Sequence, residues 1–310
     1  MKSLKRRVQT VLRQAGLYQR ARASFLYTLY WRVANPSLVE DRKSEVCFYR
    51  TALAGFRNGD LIFDVGANQG SKTGTFLRLG ARVIAVEPDE TNQKILQEMY
   101  LKYRFSPKPV IVVGKALSDQ CGVESMWIDE PGSAKNTLSQ KWVNTLRTDK
   151  ERFGQALNFA ARKEVETTTL EKLFTTHGVP FFIKIDVEGF ELSVLRGMKR
   201  SVPYLSFEAN LPEFKPEGLK CVELLGQLDP EGQFNYVVDC RRGFSLERWL
   251  SGGEFSEAFQ QCTDKSIEVF WRSSSTSATQ FKPATAFGPS KEQDLSANND
   301  LASAHESIEG

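Results

Sequence analysis

One short stretch constrains this chain more than any other: residues 61–70 read L-I-F-D-V-G-A-N-Q-G. Three apolar residues lead into Asp64, and a turn that carries Gly66 and Gly70 follows at once. An apolar run that breaks into glycines predicts a buried strand whose loop approaches another group closely. Everything else about the chain can be placed relative to this turn.

A second strand is predicted at Arg82 to Val86, and it ends in Glu87 about one helix beyond the glycines. Nucleotide-type ligands bind in this arrangement, because glycine gives access to the backbone and the carboxylate accepts hydrogen bonds from both ribose hydroxyls. Dinucleotide sites use G-x-G-x-x-G around a pyrophosphate, whereas this turn has Asn68 at the second position. A ligand with adenosine but no phosphate fits better, and S-adenosylmethionine is such a ligand, with Asp64 facing its amino group. An ordinary strand-to-helix turn is the alternative.

Strands and helices alternate along the chain from this point. The pattern predicts a βαβαβ run over residues 61–116, which requires parallel strands joined by right-handed crossovers. An insertion at about 120–180 then interrupts the alternation with short strands at 123–128, 137–143 and 165–170. Later strands are predicted at 181–185, 204–209, 234–239 and 267–271, the last two as an antiparallel closing hairpin joined by a mobile connection at 242–259. The predicted fold is α/β and Rossmann-like, with a mostly parallel sheet.

The second informative stretch is residues 181–197, F-F-I-K-I-D-V-E-G-F-E-L-S-V-L-R-G. Asp186 and Glu188 follow a buried strand, and the carboxyl ends of such strands line the ligand crevice of an open α/β sheet. Capping of the following helix is the alternative for both side chains. Lys184 in the strand must pair with a carboxylate, and Glu208 on the next strand is the expected partner.

Three further polar side chains have two interpretations each. Ser118 and Asp119 follow the third strand, where they would meet an adenine edge or close an Asx-type turn. His177 lies in a loop before a strand, where it is either solvated or a general base.

A divalent cation site is a weaker hypothesis. Asp186, Glu208 and Asn210 are predicted to converge at neighbouring strand ends, and three such oxygen ligands could hold Mg²⁺ or Ca²⁺. The same side chains could instead hydrogen-bond a hydroxylated acceptor. The five cysteines have neither C-x-x-C spacing nor partner histidines, which argues against zinc and disulfides and favours a reducing cytosol.

The two ends of the chain differ from its middle. Residues 1–39 contain no acidic residue, and two basic helices are predicted there, at about 4–15 and 18–33. They could lie on an anionic membrane surface or pack over the acceptor cleft. The net charge of only +3 gives no global attraction to nucleic acid. The chain shows neither an apolar run long enough to span a membrane nor a secretory signal.

Three regions are therefore predicted. Residues 1–57 form a basic helical extension, residues 58–272 form the main domain with its insertion, and residues 273–310 form a polar tail too poor in large apolar residues to fold. The expected location is the cytoplasm, with peripheral contact at the inner membrane surface as an open alternative. The oligomeric state does not follow from these patterns.

With these motifs in place, the chain resembles the FkbM-type methyltransferases, which have a class I Rossmann-like fold and use S-adenosylmethionine. The likeness covers about residues 45–240 and lies in D-V-G-A-N-Q-G at 64–70 with Thr73 after it, E-P at 87–88, A-L-S-D at 116–119, T-T-L at 168–170, I-K-I-D-V-E-G-F-E from 183 and V-L-R-G up to 197. The combination is specific, although each short motif alone would not be.

The resemblance implies roles for individual residues. Gly66, Ala67, Asn68 and Gly70 would line the methionine and ribose portions of the cofactor, with Glu87 on the ribose hydroxyls and Ser118 and Asp119 beside the adenine. Asp186 would lie near the transferable methyl group. The resemblance also implies O-methylation of a hydroxyl on a sugar, glycan or secondary metabolite.

Asp186 is the first choice for the general base, with Glu188 and His177 as the other candidates. A non-catalytic nucleotide-binding or scaffold protein with the same fold is one alternative. A membrane-associated methyltransferase of a lipid-linked glycan is another.

Overall fold

A computed structural model of the chain describes residues 36–100, 110–149, 152 and 157–277. The two predicted basic helices and almost all of the predicted tail lie outside these residues. The described residues belong to one compact unit that ends at Ala278. Among them, no helix combines the length and the apolar character that crossing a bilayer requires.

The strands of the described residues form two sheets. The strands are β1 Leu61–Val65, β2 Arg82–Val86, β3 Val110–Val113, β4 Ala116–Leu117, β5 Gly122–Ile128, β6 Ala161–Thr168, β7 Phe182–Ile185, β8 Tyr204–Asn210, β9 Gln233–Val237, β10 Leu250–Ser251 and β11 Ser266–Arg272. The large sheet has the order β10-β9-β11-β8-β7-β1-β2-β3, and the small sheet has the order β4-β6-β5. From β3 to β8 the neighbouring strands are parallel, and β11 runs antiparallel between β8 and β9. The predicted Rossmann-like sheet with its antiparallel closing hairpin is confirmed.

Helices cover both faces of the large sheet. They are α1 Pro36–Ala52, α2 Ser71–Leu79, α3 Glu90–Met99, α4 Gln140–Thr148, α5 Leu170–His177, α6 Glu191–Arg196, α7 Lys215–Leu228, α8 Gly252–Gln261 and α9 Ser274–Ser277, with a short 3₁₀ helix at Cys240–Arg242. Local chemistry explains several of their ends: Asp89 accepts from the Thr91 N–H to cap α3, and Gly80 ends α2 at a left-handed φ of 108°.

Side chains alternate between the two faces of β7, because successive residues of a strand point to opposite sides. Ile183 and Ile185 belong to one core cluster, whereas Phe182 belongs to the cluster on the other face. Burial on both faces explains why this strand reads as a continuous apolar run. Burying each side chain of this size contributes about 1.5–3 kcal/mol to the free energy of folding. Strand β7 therefore holds the residues that follow it in a fixed position.

Helix α1 is part of the second core cluster. Its Tyr49 is fully buried, and the Tyr49 ring meets the rings of Phe76 and Phe182 edge-on or tilted, 5.1 and 5.8 Å away between centroids. The predicted boundary between an extension and a main domain at residue 57 therefore runs through one continuous core.

The structure differs from the predicted elements in three places. The predicted third strand divides after Val113, and β4 pairs with β6 in the small sheet instead. The strand expected at 137–143 is one bridge at Thr137 followed by α4, because Ser139 accepts from the Trp142 N–H and caps that helix. The predicted mobile connection at 242–259 instead contains β10 and most of α8.

Candidate active site

A cleft opens where the parallel strands β1, β2 and β7 end. It encloses about 560 Å³ of empty space, counting its open mouth, which falls in the size range of small-molecule sites. Gly66 and Asn68 line it after β1, Glu87 lines it after β2, and Asp186 and Glu188 line it after β7. These five residues were all predicted, and the topology brings them together because the carboxyl ends of parallel strands meet at one edge.

Gly66 brings the first turn against the β7 loop. Its φ is +78°, and a Cβ at this position would lie 1.8 Å from the carbonyl oxygen of Asp186. Only glycine fits both the backbone angle and this separation. Gly70, by contrast, faces away from the cleft wall, because a Cβ there would meet Leu96 and Tyr100 at 2.7 Å.

Glu87 is an acceptor held in place by the backbone. The carboxylate is 6% exposed, and its two oxygens accept from the N–H groups of Asn68 and Asp89 at 2.7 and 2.8 Å. Burial raises the pKa of Glu87 to about 7, against the opposing effect of these hydrogen bonds. A side-chain hydrogen bond from Asn92 also lowers this pKa, and the carboxylate keeps acceptor capacity that a ligand hydroxyl can use.

Two amide oxygens in the cleft wall lack a partner. Within the described residues, Oδ1 of Asn68 and Oδ1 of Asn92 are buried and accept no hydrogen bond, and both residues line the cleft. Asn92 is 2% exposed. A buried acceptor without a donor is costly and rare in folded proteins, so a ligand that brings donors to this wall fits the site.

Asn92 was missed by sequence reasoning. It lies in the first turn of α3, five residues after Glu87, and the start of a helix that follows a strand faces the strand ends. That spacing is the signal from which it could have been found.

Other predicted cofactor residues lie behind the cleft wall. Asp64 is 2% exposed and accepts from the Thr73 hydroxyl at 2.5 Å, and burial raises the pKa of Asp64 to about 6. Ala67 is also buried. These three residues support the turn, and they are not among those that line the cleft.

Ser118 and Asp119 lie at the side of the cleft rather than in its wall. The Ser118 hydroxyl donates to Glu124 at 2.7 Å, and Asp119 is exposed. Ala116 and Leu117, immediately before them, line the cleft instead. The motif A-L-S-D therefore meets the cleft through its apolar half.

The part of the insertion at 129–138 forms another wall of the cleft, and Asp89 anchors it. The second oxygen of Asp89 accepts from the Gly132 N–H at 3.0 Å and from the Asn136 amide at 2.8 Å. Ser133, Ala134 and Thr137 then line the cleft.

Asp186, Glu188 and Glu208 form an acidic group whose carboxylates each place an oxygen within 4.8 Å of the others. Lys184 donates to Asp186 at 2.7 Å, so its closest carboxylate is Asp186 rather than the predicted Glu208. Burial would raise the pKa of Asp186, but the Lys184 ammonium outweighs burial and lowers it. Asp186 therefore stays ionised.

The other two carboxylates of the group behave differently. Burial and the negative charge of Asp186 raise the pKa of Glu188 to about 8, and the same two causes raise the pKa of Glu208 well above its usual range. Near neutral pH the group thus pairs the Asp186 carboxylate ion with Glu188, which mostly holds its proton.

Neither Asp186 nor Glu188 caps helix α6. The N-cap residue is Phe190, and no side chain in the described part of the chain caps the helix; Glu191 instead holds the loop before it, because its Oε1 accepts from the N–H groups of Val187 and Gly189 at 3.1 and 3.2 Å. Capping of α6 therefore does not explain the positions of Asp186 and Glu188.

Two predicted residues stand apart from the cleft. His177 is the last residue of α5, just before β7. Phe181, which follows it, donates its backbone N–H to the carbonyl of Leu61 at the start of β1. His177 therefore lies near the amino ends of the strands, on the side of the sheet opposite to the cleft. Partial burial lowers the pKa of His177. Asn210 does not line the cleft. Its amide N–H donates to Glu208 at 3.1 Å and its amide oxygen accepts from Arg152 at 3.1 Å, so it lies beside one member of the acidic group.

One family model matches most of the central part of the chain. The methyltransferase FkbM domain model matches residues 64–229, over half of the chain. Ribosomal RNA small subunit methyltransferase A of Phenylobacterium zucineum (strain HLK1) is 41% identical over 66 residues, which make up 21% of this chain and 22% of that protein. The chain therefore matches about a fifth of that relative's length.

Solved structures resemble the chain more distantly. Methyltransferase FkbM from Methylobacillus flagellatus KT is 18% identical with a TM-score of 0.46, over 73% of this chain and 47% of that one. Precorrin-6y C5,15-methyltransferase from Geobacter metallireducens GS-15 is 9% identical with a TM-score of 0.37, over 75% of this chain and 87% of that one.

Proposed function

The chain belongs to the FkbM methyltransferase family, and we propose that it is an S-adenosylmethionine-dependent methyltransferase that methylates a hydroxyl of a sugar, glycan or secondary metabolite. One observation carries the proposal: a cleft with buried, unpaired acceptors at one end meets an acidic group at the other. The first end suits an adenosine portion, and the second suits a polar acceptor.

The residues at the β1 and β2 ends fit the cofactor. Glu87 would accept from the ribose hydroxyls, and the oxygens of Asn68 and Asn92 would accept from other hydroxyl or amino donors of the adenosine portion. Gly66 lets the first turn pack directly against the Asp186 backbone, so that the two ends of the cleft meet. Asp64, Ala67, Gly70, Thr73, Ser118 and Asp119 would support this end from behind or beside it.

The acidic group fits a cationic centre next to a hydroxyl. When bound, S-adenosylmethionine supplies an electrophilic methyl group on a positively charged sulfur. Asp186 keeps its negative charge through Lys184, and a fixed carboxylate ion favours a cation in its vicinity. Its side chain is 35% exposed, so a ligand can reach it.

Glu188 is the proposed proton acceptor. A neutral hydroxyl is a poor nucleophile, and a base is most effective when its pKa lies near the working pH. The pKa of Glu188 is about 8, whereas the lowered pKa of Asp186 makes it a weaker base. We therefore assign Asp186 to orienting the acceptor hydroxyl and Glu188 to taking its proton at a carboxylate oxygen.

The proposed enzyme domain includes helix α1. Tyr49 and its neighbours complete the core behind the strands that carry the site, so we place the domain at residues 36–272 rather than 58–272. The basic residues before it and the polar stretch after it remain separate regions in this proposal.

Binding and turnover test the proposal separately. Calorimetry with S-adenosylmethionine should give saturable one-site binding, and NAD should give weaker heat. Transfer of the labelled methyl group of S-adenosylmethionine into small molecules or glycans of a cell extract should follow. Absence of binding removes the methyltransferase assignment. Binding without transfer to any extract component favours the scaffold alternative.

A chelator arm of the same assay addresses the metal hypothesis. Lys184 already supplies a positive charge to the acidic group, and the amide oxygen of Asn210 is bonded to Arg152. We therefore expect transfer to continue in the presence of the chelator. Loss of transfer that Mg²⁺ or Ca²⁺ restores would assign a cation to Asp186, Glu188 and Glu208.

A further inference from the structure

Glu188 has an unusual backbone conformation for its residue type. Its φ is +55°, a left-handed value that brings the Cβ of an L-residue close to the following carbonyl group. Non-glycine residues keep such angles where the surroundings hold them, and these positions are often functional. The contacts that hold Glu188 should therefore matter to its role.

Two hydrogen bonds fix Glu188, and both come from the insertion; a ring packs against the residue that follows it. The Trp142 indole N–H donates to Glu188 Oε2 at 2.8 Å, and the Thr137 hydroxyl donates to its backbone carbonyl at 2.7 Å. On the other side, a Cβ at Gly189 would lie 2.5 Å from the Phe214 ring, so this ring presses directly on the backbone next to Glu188.

The indole that donates to Glu188 is itself immobilised. Trp142 is fully buried, and its ring meets the Phe214 ring edge-on at 5.5 Å. The guanidinium of Arg152 lies 4.9 Å from the indole centroid and is bonded to Glu213 and to the carbonyl of Leu211. The donor therefore has one position, set by residues at the end of β8.

We propose that Trp142 is a positioning residue for methyl transfer: its indole N–H holds one carboxylate oxygen of Glu188 and thereby aims the other at the acceptor hydroxyl. The inference rests on the proposed function, in which Glu188 takes the acceptor proton. The insertion then has a specific part in the reaction, because Trp142 and Thr137 both belong to it. Nothing in the sequence motifs around Glu188 indicates this dependence.

The test compares Trp142→Phe with Trp127→Phe in the full chain. Both indoles belong to the same core cluster, but the Trp127 ring lies against the guanidinium groups of Arg147 and Arg162. The phenylalanine keeps a ring and removes the N–H donor. Both variants should lose similar thermal stability, so a difference in transfer rate reports the hydrogen bond.

We expect Trp142→Phe to slow transfer of the labelled methyl group into the cell extract by about 10-fold or more, as loss of a hydrogen bond to a charged group does. Trp127→Phe should stay within about 2-fold of the wild type, and S-adenosylmethionine should bind both variants equally. In a Glu188→Gln background, Trp142→Phe should have no further effect, because the two act as one unit. A Trp142→Phe enzyme with the wild-type rate, or effects that multiply in the double variant, would overturn the inference.

An NMR arm separates this inference from the proposed function. The indole N–H resonance that disappears in Trp142→Phe should shift in Glu188→Gln and stay unchanged in Glu268→Gln, a control whose half-buried carboxylate accepts from Tyr49 and Ser206. If the wild type binds S-adenosylmethionine but transfers nothing, the proposed function fails while this shift still supports the contact. If this resonance does not shift in Glu188→Gln, the hydrogen bond between Trp142 and Glu188 is overturned, whatever the activity of the enzyme.

Discussion

The cleft end at β1 and β2 is built mainly from backbone and local sequence, whereas the end at β7 and β8 is built from charged side chains held by distant residues. At the first end, Gly66 and Asn68 share one turn, and Glu87 is fixed by two backbone N–H groups. At the second end, Glu188 depends on Trp142, 46 positions away in the chain.

This difference suggests a division of work between binding and chemistry. Backbone donors survive every substitution except a change to proline, so the first end suits a ligand that every turnover requires. Side chains with opposing charges can hold different protonation states within a few ångströms, as Asp186 and Glu188 do, and proton transfer requires such a pair. Four predictions test whether the two ends separate in this way.

Glu188→Gln should have the largest effect. The amide keeps the size of the side chain but cannot take a proton, so the turnover rate should fall by about 10²–10⁴-fold. Affinity for S-adenosylmethionine, measured by calorimetry, should stay within about 2-fold because the first end is untouched. A comparable loss of affinity would show that the two ends do not act separately.

Glu87→Gln should give the opposite pattern. Loss of a charged hydrogen-bond acceptor should weaken binding of S-adenosylmethionine by about 10–100-fold, while the rate at saturating cofactor changes little. Calorimetry and steady-state kinetics on the same preparation check both numbers. A fall in the saturated rate equal to that of Glu188→Gln contradicts the division.

The pH dependence of the rate distinguishes the two candidate bases. Glu188 takes a proton only when it is ionised, and its pKa is about 8, so the saturated rate should rise about 10-fold from pH 7 to pH 9 and then level off. Asp186 has a lowered pKa and is ionised throughout, so a flat profile over this range would point to Asp186 as the base. Glu188→Gln should lose the rise and serves as the control.

Asn92→Leu should have the smallest effect. Its amide oxygen is buried without a partner, whereas its side chain also hydrogen-bonds Glu87 and lowers the pKa of that carboxylate. Because a leucine of similar size removes both features, the melting temperature of the free protein should change little. Binding of S-adenosylmethionine should weaken by about 3–10-fold, the range for one neutral hydrogen bond. Unchanged binding would remove Asn92 from the cofactor site.

Much of the fold followed from periodicity. Strands β1 and β2 appear at the predicted residues, because a short apolar run between a turn and a glycine has few other solutions. The insertion does not follow from periodicity. Residues 140–148 form a helix because Ser139 caps it and Trp142 packs into an apolar cluster, and neither contact produces a repeating hydrophobic pattern in the sequence. Tertiary packing there outweighs the weak local preference.

The sequence by itself determined the sheet, the turn at Gly66 and the five residues that meet in the cleft, because each depends on a local pattern and on the rule that parallel strand ends coincide. Only the tertiary structure decided which of them carry charge and what holds them. Lys184 hydrogen-bonds to Asp186, and Trp142 hydrogen-bonds to Glu188. His177 lies at the end of α5, away from the cleft. A carboxylate's pKa depends on its burial and its neighbours in space, and chain order records neither.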